Sequence, residues 1–138
     1  MNSNKLRLHG IIILALLLGE FIFGMLTNLY VHFPDGNTSS QQWAYSGSQS
    51  LTVTHMVIGV LLVLVAASLL GMALRAKDRM WKLTSIVGLA SILSASMFGS
   101  EFVSKQNEAD SFWMAFFFIV AVTVYGWGMY QSRNVSQK

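Results

Sequence analysis

The sequence predicts an all-α, polytopic membrane protein: a four-transmembrane-helix bundle with both termini on the cytoplasmic side. Three observations carry this. Of 138 residues, 54% are apolar and only 11% are charged, against the ~25% charged of a soluble domain. The apolar residues gather into four long runs. The cations gather at alternate ends of those runs. A single four-helix domain spanning 1–138 follows.

The four runs are 8–31, 51–74, 81–104 and 111–130. A helix needs about 20 mostly apolar residues to cross a ~30 Å hydrocarbon core. Backbone polar groups in lipid must be paired within the segment, so each run is expected to be helical. This holds even for the Phe- and Val-rich fourth run, FWMAFFFIVAVTVYGWGMY. The first run follows Lys5 and Arg7 as a signal peptide would. It is too long for one, contains Glu20 and lacks a small-residue cleavage site, so it is expected to remain as a span.

Lys5 and Arg7 precede the first helix. Arg75, Lys77, Arg79 and Lys82 lie between the second and third, and Arg133 and Lys138 follow the fourth. The other two connections hold only Lys105. Positive charge stays cytoplasmic, which sets both termini and the middle turn inside a cell inner (plasma) membrane. Tyr30, Phe33 and Trp113 are expected at the outer rim, and Trp81, Trp127 and Tyr130 at the inner one. The loop 32–50 is polar and turns at Pro34-Asp35-Gly36. It is either a solvated connector or a lid over the bundle mouth. Asn37-Thr38-Ser39 matches a glycosylation acceptor, without meaning in a bacterium.

The absence of cysteine excludes disulfides, thiol catalysis, Cys-based metal sites and c-type haem attachment. No catalytic constellation stands out. The cations sit at helix ends, so nucleic acid is not an expected partner. The bilayer is, together with a second copy or a larger membrane complex.

Glu20 is the only acid of the first helix. Intramembrane acids usually face a bundle interior and mark a functional site. Glu20, Gly24, Thr27 and Asn28 fall on one face, which is expected to look inward. The alternatives are a structural hydrogen-bond network and a proton or ligand site. On the third helix, Gly88, Ser91, Ala95 and Gly99 form a small-residue face for close packing. The second offers Gly59, Ala66 and Ala67. Asn28, His55 and Glu101 each lie about one turn from the outer end of their helices. They are expected to converge there, with Glu101 bonded to one His55 nitrogen and the other free for haem iron or a quinone oxygen. His9 and His32 read as interfacial residues. There is also a faint internal repeat: aligning LTVTHM with DSFWMA brings His55 to the region of Trp113 and Met114.

These stretches resemble one four-helix half of haem A synthase and related b-type haem membrane proteins. The first helix ends in NLYVHFPDG, a His opens the next in LTVTHMVIGVLLVL, and a third helix follows a basic turn. The resemblance implies haem b or quinone as cofactor. That family pairs histidines, and no second His faces His55 from the fourth helix. Met114 or a dimer partner would then complete the ligand set. The segment LLLGEFIFG is also similar to the first helix of small multidrug transporters, although their third-helix Trp and Gly signature is missing. Three functions stand open: a haem- or quinone-associated redox or accessory protein using His55, Met114, Asn28 and Glu101; a proton-coupled small-molecule transporter using Glu20; and a non-catalytic accessory subunit.

Overall fold

The computed structural model describes residues 3–76 and 78–135. The expectations placed on Lys77 and Lys138 lie outside the described residues. Five helices follow one another: α1 (Ser3–Tyr30), α2 (Ser39–Ser48), α3 (Ser50–Ala76), α4 (Arg79–Lys105) and α5 (Glu108–Val135). Helices α1, α3, α4 and α5 are each long and apolar enough to cross a membrane. Helices α3, α4 and α5 cover their predicted runs, α1 ends one residue short of Val31, and all four extend a few residues into polar sequence, where Lys, Arg and Gln continue a helix readily.

The helix ends have local causes. Asp78 caps α4 by accepting a hydrogen bond from the Trp81 amide at 3.0 Å. Gln106 closes α4 in the left-handed region, at φ 54°, and its amide donates to the Phe102 carbonyl at 2.7 Å. Next, the Asn107 side chain accepts from the Ala109 amide at 3.1 Å. Glu108 and Asp110 occupy the first turn of α5, where the helix dipole favours acids.

Antiparallel neighbours pack in a ring: α1 on α3, α3 on α4, α4 on α5, and α5 back on α1. The α4–α5 contact is the most extensive. Glycine makes it so. Gly88 lies under the Tyr125 ring, Gly99 under the Met114 sulfur, and Gly128 under Thr84. Two of the four small residues expected to serve packing on α4 thus do so, and Ser91 is buried. On α3, Ala66 is buried, while Ala67 is exposed.

The buried core is Leu6, Ile13 and Leu17 of α1, Leu62, Ala66, Leu69 and Ala73 of α3, Trp81 and Ile92 of α4, and Ala121 and Tyr125 of α5. It fills the middle of the assembly and the end where α1 begins. Trp81 is a correction. Expected at the rim, it is 1% exposed, because Gly10 of α1 has no side chain and the indole tucks against it beside Met129. Trp127 and Tyr130 remain exposed, as rim aromatics would be. The outer surfaces carry large apolar side chains such as Leu18, Leu64, Leu83 and Ile119. Patches of this extent are abnormal in water and ordinary against lipid.

The opposite end is closed by α2. Thr38 and Gln41 start this helix, with Gln41 Oε1 accepting from the Thr38 amide at 2.8 Å. Gln42 Nε2 donates to the Pro34 carbonyl at 2.8 Å. Trp43 Nε1 donates to Ser104 Oγ of α4 at 2.9 Å. Phe33 meets Tyr45 and Phe102 edge-on. Of the two readings of loop 32–50, the lid therefore describes it. We call this the lid end, and the other the terminal end.

Candidate functional site

Helices α1 and α3 run antiparallel, and two glycines fix their register. Gly24 of α1 faces the His55 ring: a Cβ there would stand 3.2 Å from Cε1. Gly59 of α3 faces Glu20: a Cβ there would stand 3.0 Å from Oε1. Each polar residue thus lies over the glycine that follows the other by one helical turn. Without side chains at 24 and 59, the two helices leave room for a carboxyl and an imidazole between them.

In that room, Glu20 Oε2 is 3.3 Å from His55 Nδ1. The side chains are 15% and 24% exposed, so the contact is shielded but not sealed. The approach has ion-pair length without the alignment of a full hydrogen bond, and neither atom has another partner. The pair can exist as imidazolium with carboxylate. It can equally exist as neutral imidazole with carboxyl, the proton having moved across. Loss or gain of one further proton changes its net charge, which is costly in a shielded site.

The expected site of Asn28, His55 and Glu101 does not assemble. His55 turns to Glu20. Glu101 pairs with Lys105, one turn along its own helix. Asn28 is exposed. The register explains this: with Gly24 opposite His55, Asn28 stands one turn nearer the lid end, about 6 Å along the axis. Met114 packs its sulfur on Gly99 of α4, 3.1 Å from where a Cβ would be. His9 donates to its own helix, from Nδ1 to the Lys5 carbonyl at 3.0 Å, and His32 is exposed.

These placements do not bring His55 and Met114 to one iron within the chain. His55 faces α1 and Met114 faces α4, so the two share no axis through an iron. Among the described residues no three His, Cys, Asp or Glu side chains gather as a metal site would require. What sequence reasoning missed was the Glu20–His55 contact. A signal was present in the spacing: Glu20 precedes Gly24 by four residues, and His55 precedes Gly59 by four.

No family profile matches the chain, and neither the curated protein sequences nor the solved structures compared with it give a significant match.

Proposed function

We propose that this is an integral membrane protein, a bundle of four transmembrane helices, that binds and releases a proton at the Glu20–His55 pair to drive a small solute across the inner membrane. The carrying observation is the 3.3 Å contact between Glu20 Oε2 and His55 Nδ1 in a space cleared by two glycines. An acid at membrane depth has a large desolvation cost and is retained where it serves an ion or proton step. A carboxyl beside an imidazole supplies that step, since a proton can reside on either group. In this reading the termini and the α3–α4 turn are cytoplasmic. The cations support it: Lys5, Arg7, Arg75, Arg79 and Lys82 belong to the terminal end, and Lys105 alone among the described Lys and Arg residues before α5 belongs to the lid end.

The test is proton uptake into sealed proteoliposomes loaded with a pH-sensitive dye, under an imposed pH gradient and in the presence of a solute library. A solute-dependent proton flux that disappears in Glu20→Gln supports the reading. The infrared carboxyl band gives an independent measure: a band that changes with pH and is absent in Glu20→Gln identifies Glu20 as the proton holder. A Glu20→Gln protein with unchanged flux and an unchanged spectrum would reject it.

A further inference from the structure

Several buried polar atoms among the described residues lack a hydrogen-bond partner, and six of them belong to α1, α2 and α3 between the Glu20–His55 pair and the lid end. Deepest are Glu20 Oε2 and His55 Nδ1, which face only each other. One turn nearer the lid end, in the same α1–α3 register, stand Thr27 of α1 and Thr52 of α3, and both hydroxyls are unpartnered. Thr52 is 3% exposed. Beyond them lies α2, which packs on α3 and α4. Its inner face presents Ser46, fully buried, whose hydroxyl has no partner. Gln42, one turn along α2 and 3% exposed, adds an unpartnered amide oxygen.

Buried hydroxyls and amides are almost always hydrogen-bonded, and water serves where protein does not. Serine and threonine in helices commonly satisfy themselves on the carbonyl one turn back, as Ser85, Ser91 and Thr123 do here. Thr27, Thr52 and Ser46 do not. Their hydroxyls are left for another donor or acceptor, the threonines on α1 and α3 and Ser46 beneath α2.

The terminal side of the pair is different. There the seam is closed by Ile13, Leu17, Leu62, Ala66 and Leu69, all buried and without a polar side-chain atom. The unpartnered Tyr125 hydroxyl at this level belongs to the other helix pair, seated on Gly88 of α4.

We propose that water enters beneath α2 and runs between α1 and α3, past Gln42, Ser46, Thr52 and Thr27, so that the Glu20–His55 pair exchanges protons with the lid end only. This rests on the reading of that pair as a proton site, and adds its sidedness. The other charged groups toward the lid end make their own contacts or none with it. Glu101 and Lys105 of α4 engage each other. Glu108 and Asp110 of α5 form no ion pair with either member among the described residues.

The test uses the absence of native cysteine. Single variants Ser46→Cys, Thr52→Cys and Thr27→Cys sample the line; Leu17→Cys and Leu62→Cys sample the apolar seal. Each protein, in right-side-out and inside-out membrane vesicles, is exposed to Ag⁺, a probe close to water in size. Thiols that remain are then counted with a maleimide after denaturation. A thiol in apolar surroundings stays protonated and unreactive, so the first three should react on the order of ten times faster than the last two. They should do so from the lid side alone. Monodispersity in detergent and a helical circular-dichroism spectrum confirm folding. If Thr52→Cys fails this control, Thr27→Cys carries the same test. Equal protection of all five thiols, or access from the terminal side, overturns the path. This outcome is separate from the flux and infrared results: a wet line beside a pair that does not titrate would refute the proton site and leave the line standing.

Discussion

Removing both members of the Glu20–His55 pair should cost less than the sum of removing each alone. At 3.3 Å two unit charges attract by about 5 kcal/mol at an effective dielectric near 20, from 332 divided by the product of dielectric and distance. Desolvation of both groups offsets much of this. The side chains are 15% and 24% exposed, so solvent screens part of the remainder. We expect Glu20→Gln and His55→Gln each to destabilise the fold by about 2–3 kcal/mol, below the ~3–5 kcal/mol of a fully buried pair broken on one side. The double variant should cost less than the sum, with a coupling of about 1–2 kcal/mol. Reversible unfolding in mixed micelles, read by circular dichroism, supplies the four stabilities of the cycle. Changes that add within ~0.3 kcal/mol, as independent sites do, would show that the two residues are neighbours without interacting.

Gly59→Leu should drive Glu20 out of its place, because even a Cβ would come within 3.0 Å of Oε1. The expected loss is about 1–3 kcal/mol in the same unfolding assay, in the range of core overpacking. Ser104→Ala removes the acceptor of the Trp43 indole. It should cost about 0.5–1.5 kcal/mol and raise amide exchange in residues 39–48 while that of α5 stays unchanged. Asp78→Ala deletes the cap on the Trp81 amide and should destabilise by about 0.5–2 kcal/mol, with exchange increasing first in the opening turn of α4.

The four long helices were legible because hydropathy over more than twenty residues leaves few alternatives in lipid. The lid helix was not read as a helix, although Thr38 and Gln41 carry the S/T-x-x-E/Q pattern of a helix start. Its polar, apolar-poor composition hid it, and its stability comes from tertiary contacts such as Trp43 to Ser104. Glu20 was singled out correctly as facing other helices, and His55 as a polar residue of the interior. Their partnership was missed because depth was matched backbone to backbone. Glu20 and His55 differ by about one turn in level, and a glutamate side chain spans that offset. Trp81 was misplaced for a related reason: an aromatic near a helix end reads as a rim residue unless the glycine that receives it on another helix is known.

The aligned segments LTVTHM and DSFWMA bring the two halves of the chain into comparison. Gly99 receives Met114 as Gly24 receives His55. Ala95 precedes Gly99 by four residues, as Glu20 precedes Gly24, and Phe118 follows Met114 by four, where Gly59 follows His55. A glycine facing a side chain of the neighbouring helix thus occurs in both halves, once beside an acid and a base and once beside a methionine. The α4–α5 pair is the most extensively packed, and the α1–α3 pair is the one whose interface holds an acid beside a base.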